Sequence, residues 1–237
     1  MNRIVLMCLR NLWRVPGAYL KLCRYAKAPE KYTEKEMWAH IHYIMDLAVT
    51  SGNIDLHVTG MGNIPAKDGF LFVGNHQGLF DIVALAGIYD RPIGVVFKKE
   101  LANIPVLKEI IACTKSFGID RDDVRQTMGT IVELTKELKS GRTYMIYPEG
   151  TRSRNGNQMG EFHAGSFHAA VKAKCPIVPV ACIDSYKVLD QKGSKPVSVQ
   201  MHFLSPLTYE EYKDMKTPEI AALIKGRIAE VIERHTI

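Results

Sequence analysis

His76 and Asp81 stand five residues apart in Asn75-His76-Gln77-Gly78-Leu79-Phe80-Asp81. An imidazole with a carboxylate beside it is the base and its orienting group, two of the three parts of a catalytic triad. The stretch follows Phe70-Leu71-Phe72-Val73-Gly74, which reads as a buried strand. It precedes Ile82-Val83-Ala84-Leu85-Ala86, which reads as the buried face of a helix. On one helix, five steps of about 100° would leave the two side chains roughly 140° apart. They converge only when His76 lies in the loop and Asp81 in the first helical turn. There the helix dipole favours a carboxylate, which can accept the ring N–H and leave the other ring nitrogen free to take a proton. The motif supplies no serine or cysteine nucleophile of its own. Taken alone, the pattern equally fits Asn75 and Asp81 capping a helix around an ordinary turn histidine.

Three more polar clusters fall just after apolar runs that read as strands. Lys98-Lys99-Glu100 follows Gly94-Val95-Val96-Phe97, Asp120-Arg121 follows Phe117-Gly118-Ile119, and Pro148-Glu149-Gly150-Thr151-Arg152-Ser153-Arg154 follows Tyr144-Met145-Ile146-Tyr147. Any single Lys or Arg is more often a solvated surface charge, and Gly150-Thr151 alone is a plain turn. Four such placements after four strands point to one shared edge that gathers His76, Asp81, Lys99, Arg121, Glu149 and Arg152. One base, two carboxylates and three cations suit an anionic substrate whose hydroxyl is to lose its proton. Arg grips phosphate through two parallel bonds, and Lys adds a compact charge.

The elements that must carry these loops alternate. Strands are expected at 54–60, 70–74, 93–98, 117–119, 143–147, 177–182 and 197–203. Helices are expected at 79–89, 100–115 with a break at Pro105, 122–139, 166–174 and 217–234. Alternation of this kind predicts an α/β fold, a mostly parallel sheet flanked by helices on both faces, with the chemistry beyond the carboxyl ends of the strands. Ahead of it, residues 1–52 read as an N-terminal amphipathic helical pair, and 53–237 as the α/β domain. The first helix runs to about Lys27, with Pro16-Gly17 expected to kink or split it. It places Arg3, Arg10, Arg14 and Lys21 within roughly 40° of one another, with Leu9, Leu12, Trp13 and Leu20 among the apolar residues between them in sequence. A broad apolar side facing an all-basic side suits the headgroup layer of an anionic membrane, although a core helix with a solvated basic face has the same pattern. Thr33 and Glu36 form a capping box for the second helix.

Composition narrows the classes. The chain has 237 residues and a net charge of +6, which favours an anionic partner. Its five cysteines contain no Cys-x-x-Cys pair and read as reduced, buried thiols in a cytosolic setting, with no zinc site and no metal. No cleavable signal and no 18-residue uncharged apolar run is evident. The cations are not interleaved with aromatics as in a nucleic-acid module. Gly165-Ser166 lacks the Gly-x-Ser-x-Gly elbow of a lipid hydrolase.

Four stretches in order carry a resemblance: Asn75 to Asp81, Phe117 to Arg121, Tyr147-Pro148-Glu149-Gly150-Thr151-Arg152-Ser153, and Ile177-Val178-Pro179-Val180-Ala181. Together they resemble the four blocks of the glycerolipid acyltransferases. Length and the N-terminal helical pair resemble the bacterial 1-acylglycerol-3-phosphate acyltransferases. The family usually has Phe where Tyr147 stands.

The resemblance implies transfer of a fatty acyl group from an acyl-CoA or acyl-carrier thioester to the free hydroxyl of lysophosphatidate. It implies no metal, no cofactor beyond the co-substrate and no covalent acyl-enzyme. His76 would be the general base and Asp81 its orienter. Lys99, Arg121 and Arg152 would bind the acceptor phosphate, with Gly150 and Thr151 in the same loop. Glu149 would hold Arg152 or a substrate group, and Val178-Pro179-Val180 would form the floor. Backbone N–H groups of Gly78 and Leu79 are candidate oxyanion donors. A glycerol-3-phosphate or other lysolipid acceptor, or a non-catalytic lipid-binding protein, are the alternatives. The expected location is the cytoplasmic face of the membrane, as a peripheral protein.

Overall fold

The computed structural model describes residues 2–120 and 123–236. Its centre is a seven-stranded sheet of β1 (Ile54–Thr59), β2 (Leu71–Gly74), β3 (Ile93–Lys98), β4 (Phe117–Ile119), β5 (Thr143–Ile146), β6 (Ile177–Ile183) and β7 (Val197–Phe203). Their spatial order is β1-β7-β6-β2-β5-β3-β4. β6, β2, β5, β3 and β4 are mutually parallel, with Phe72 level with both Met145 and Val178. β7 runs antiparallel to β6, and β1 pairs with β7 in parallel, so the two outermost strands on that side point the other way.

Alternation along β2 shows why both faces are covered. Phe72, with Phe70 just ahead of it, packs into one apolar cluster with Met145, Val178 and Val180; Leu71 and Val73 pack into the other with Tyr144, Ile146 and Ile177. All of these except Ile146 are at most 1 % exposed. A strand buried on both sides reads as an unbroken apolar run, as β2 does. Each such side chain contributes about 1.5–3 kcal/mol by leaving water.

The first cluster is roofed by α3 (Glu34–Ser51), α4 (Phe80–Ile88) and buried residues of α2 (Val15–Lys27) and α5 (Leu107–Thr114). The second is roofed by α6 (Val124–Lys139), α7 (His168–Ala173) and α10 (Thr217–His235), whose Ile220, Ile224, Ile228 and Ile232 form one buried stripe. Helices therefore cover both faces, as alternating strands and helices predict. Two short helices, α8 (Tyr186–Leu189) and α9 (Tyr209–Tyr212), were not anticipated. Asp123 caps α6 by accepting the Gln126 N–H.

The N-terminal segment departs from expectation in two ways. The break between α1 (Arg3–Arg10) and α2 falls at 11–14, and Pro16 sits in the first turn of α2. A proline there lacks only an N–H that has no intrahelical partner, so it starts a helix instead of kinking one. Arg3 is not on a solvated basic face. It is 3 % exposed, and its guanidinium donates to the carbonyls of Gly52, Asn53, Val188 and Lys195. Burial pushes its pKa down. Arg10 reaches Ser51 and Asn53. The outward face carries both kinds of residue: Arg14, Lys21 and Arg24 are exposed alongside Leu9, Leu12 and Leu20, and Trp13 is 94 % exposed. The Thr33–Glu36 capping box of α3 forms as expected. No helix among the described residues is long and apolar enough to cross a membrane.

The cysteines are all free, but they are not all buried: Cys8 is exposed and Cys23 half-buried, while Cys113, Cys175 and Cys182 are enclosed. The last two line the sheet, where burial raises their thiol pKa values, Cys175 to about 12.

Candidate active site

β2 ends in the middle of the sheet with Asn75, and that residue fastens the strand end sideways. Its Nδ2 donates to the Cys182 carbonyl at 2.8 Å and its Oδ1 accepts the Cys182 N–H at 2.7 Å, so a side chain continues the β2–β6 pairing past the last strand residue. His76 comes next, in the loop, and Asp81 lies in the first turn of α4. His76 Nδ1 is 2.7 Å from Asp81 Oδ2. The same oxygen accepts the N–H groups of Gln77 at 2.8 Å and Gly78 at 3.1 Å. An oxygen that already accepts two backbone N–H groups acts as acceptor toward the ring, so Nδ1 carries the hydrogen there, and in the neutral imidazole Nε2 presents its lone pair. Asp81 is fully buried, whereas the His76 side chain keeps 22 % of its surface open.

Both backbone groups of His76 are gripped by the loop that follows β5. Its N–H donates to Glu149 Oε1 at 2.7 Å, and its carbonyl accepts the Ser153 N–H at 2.7 Å. Glu149 Oε2 accepts the Gly160 N–H, also at 2.7 Å. Burial raises the Glu149 pKa, while these two N–H bonds pull it down. The sequence assigns Glu149 the task of holding Arg152 or a substrate group; in the structure it holds the main chain of His76. Gly150 adopts φ 67, a turn conformation that glycine takes without strain, and Thr151 beside it is exposed. The Tyr147 ring stacks on His76 with centroids 4.2 Å apart and planes 20° from parallel. Its hydroxyl is buried and finds no hydrogen-bond partner among the described residues.

The cations are engaged as well. Arg152 pairs with Asp190 Oδ1, and Asp190 Oδ2 accepts the Leu79 N–H at 3.2 Å. Lys99 follows β3, which β5 separates from β2, about 10 Å along the sheet edge at ordinary strand spacing. It pairs with Asp120, which raises its pKa. Arg121 lies outside the described residues. The backbone N–H groups suggested as oxyanion donors are also committed, Gly78 to Asp81 and Leu79 to Asp190. Among the described residues no three His, Cys, Asp or Glu side chains converge as metal ligands.

Sequence reasoning missed Ser185, Asp190 and Asn157. Ser185 was within reach of the rule that found the others, since it follows the carboxyl end of β6, the neighbour of β2. Asp190 and Asn157 sit in polar loops with no pattern to mark them.

A family model described as Acyltransferase matches residues 55–183. A relative in Salmonella typhimurium named 1-acyl-sn-glycerol-3-phosphate acyltransferase is 36 % identical over 169 residues, covering 68 % of this chain and 67 % of that protein. Its namesake in Escherichia coli is 31 % identical over 166 residues, with the same coverage. The one in Saccharomyces cerevisiae is 27 % identical over 196 residues, covering 81 % and 63 %. The solved structure of the 1-acyl-sn-glycerophosphate (LPA) acyltransferase PlsC from Thermotoga maritima matches with a TM-score of 0.78 over 98 % of this chain and 96 % of that one. At 22 % identity it speaks for the fold.

Proposed function

Because this chain belongs to the acyltransferase family, we propose that it moves a fatty acyl group from an acyl-CoA or acyl-carrier thioester to the free hydroxyl of 1-acylglycerol-3-phosphate, giving phosphatidate. The observation that carries this is the His76–Asp81 contact at 2.7 Å, which in the neutral, partly open imidazole directs the ring hydrogen to Nδ1 and leaves Nε2 to take a proton. The names of the relatives support the acceptor.

In the reaction Nε2 takes the acceptor's hydroxyl proton as its oxygen attacks the thioester carbonyl. Asp81 stabilises the imidazolium that forms. The tetrahedral intermediate collapses, the C–S bond breaks, and the imidazolium returns the proton to the leaving thiolate. No side chain is acylated, which fits a motif without a nucleophile. Arg152 takes the acceptor phosphate by exchanging Asp190 for it. That exchange also releases the Leu79 N–H, at the start of α4, for an anionic oxygen. Lys99, further along the same edge, extends the positive field toward the phosphates of the substrates, and the resemblance assigns Arg121 the same task.

The outward apolar residues of α1 and α2, with Trp13 foremost, support a peripheral seat on an anionic membrane at its cytoplasmic face, where the lipid acceptor resides. The free cysteines agree with a reducing compartment.

Thiol release from acyl-CoA, with and without lysophosphatidate, tests the chemistry. His76→Ala should lower turnover by about 10²–10⁴-fold, the usual contribution of a general base. Undiminished product formation in that variant overturns the mechanism.

A further inference from the structure

The hydrogen-bonded chain behind His76 does not end at Asp81. β6 leaves the sheet beside β2 and is followed by Asp184, a non-glycine residue at φ 63. Left-handed backbone is tolerated by Asp when local bonds secure it, and here Asn157 does so. Asn157 Oδ1 accepts the Asp184 N–H at 2.9 Å, and its Nδ2 donates to Asp184 Oδ1 at 3.0 Å. Asn157 Oδ1 also accepts from Gln77 Nε2 at 2.6 Å. The turn delivers Ser185, 1 % exposed, to the underside of the dyad.

The Ser185 hydroxyl lies within bonding distance of two acceptors, Gln77 Oε1 at 3.0 Å and Asp81 Oδ1 still closer. It has one hydrogen to give. Gln77 Oε1 is neutral and already accepts the Ser185 N–H at 2.9 Å. Asp81 Oδ1 is half of a buried carboxylate, a stronger acceptor. The hydrogen therefore points to Asp81. Among the described residues the other donors to this carboxylate, from His76, Gln77 and Gly78, fall on Oδ2. Bonds to one oxygen leave the carboxylate free to swivel about it; a bond to the second oxygen stops the rotation.

We infer that Ser185 is a positioning residue for acyl transfer: its hydroxyl, set by the left-handed turn at Asp184, locks the plane of the Asp81 carboxylate and through it the aim of His76 Nε2. This rests on His76 being the base. The signature of such a role is a lower turnover with substrate binding intact, because a misaimed base leaves the binding groups untouched.

The test uses the full chain, with acyl-CoA and lysophosphatidate varied in turn. Ser185→Ala removes the hydroxyl, Ser185→Cys keeps the volume but donates poorly, and Ser185→Thr keeps the donor. Ala and Cys should lower kcat by roughly 10- to 100-fold with both KM values within about twofold; Thr should retain most of kcat. In the substrate-free protein, the NMR signal of the His76 Nδ1 proton should shift in the Ala and Cys variants. A kcat within threefold of wild type in Ala and Cys, equal losses in all three variants, or an unmoved Nδ1 proton would each overturn the assignment. Full activity in His76→Ala would instead remove the reading it rests on.

Discussion

Arg152 and Leu79 are joined through one carboxylate: Asp190 gives one oxygen to the Arg152 guanidinium and the other to the Leu79 N–H. A side-chain anion thus fills a seat built from a cation and a helix start. On the proposed function, substrate phosphate competes with it. Asp190→Asn keeps the shape and removes the charge, so it should lower the KM for lysophosphatidate severalfold.

Arg152→Ala should raise that KM by about 10- to 100-fold, the value of a charge-assisted hydrogen bond of about 1.5–3 kcal/mol. Use of the acyl donor should change far less. Kinetics with each substrate varied in turn check both variants. Equal effects on donor and acceptor in Arg152→Ala would assign the residue a structural role.

Glu149 predicts a different pattern. Its two oxygens accept two backbone N–H groups, so Glu149→Gln must turn an amide NH2 toward either His76 or Gly160. Leaving one buried N–H unmatched costs about 1–3 kcal/mol, and part of that falls on the placement of the base. Turnover should drop by an order of magnitude or more, with Gly150, Thr151 and Arg152 still present.

The pH dependence of Glu149 follows from the direction of its shift. Burial raises the Glu149 pKa above the ordinary 4.5. The folded chain therefore binds this proton more readily than the unfolded one, and the site favours folding below the unfolded value and loses that contribution as pH rises through the folded one. Protonation nevertheless removes an acceptor from the His76 loop. Activity should fall, as pH is lowered, before an ordinary carboxylate titrates, while this residue's contribution to the thermal midpoint does not fall. Rate and melting profiles over the same pH range check the divergence.

Tyr147→Phe keeps the ring stacked on His76 and discards a buried hydroxyl without a partner among the described residues. Denaturant titration should show a gain of about 1 kcal/mol, since an unmatched buried polar group is a net cost. Activity should be retained. A stability loss would mean that the hydroxyl is bonded in solution.

For the N-terminal face, point changes are cleaner than truncation. Cutting away α1 and α2 would also remove Arg3, which ties four carbonyls together, and Leu22, which is fully buried. Trp13→Ala with Leu20→Ser alters only outward residues. Sedimentation with anionic vesicles should show weaker binding by the double variant, with an unchanged melting temperature.

Much of this arrangement was legible in the chain. The apolar runs around 71–74, 143–146 and 177–183 were readable as strands because they are buried on both faces, and the placement of polar clusters after strands followed. The His76–Asp81 meeting was readable because five residues across a loop-to-helix junction have only one way to converge. Arg3 was misread because helical periodicity says which residues share a face and nothing about what that face meets. The partners of Arg152 and Glu149 were hidden for a related reason. Asp190 and Gly160 reach the site from loops, where no repeat ties position in sequence to position in space.

The order β6-β2-β5 has a consequence for when the protein becomes an enzyme. His76 arrives just after β2, the clamp on its main chain after β5, and the hydroxyl that reaches Asp81 only after β6, more than a hundred residues downstream. A partly synthesised or cleaved chain holds the histidine without the parts that aim it. On the proposed mechanism, activity should be regained on refolding in step with the docking of β6 against β2, never ahead of it.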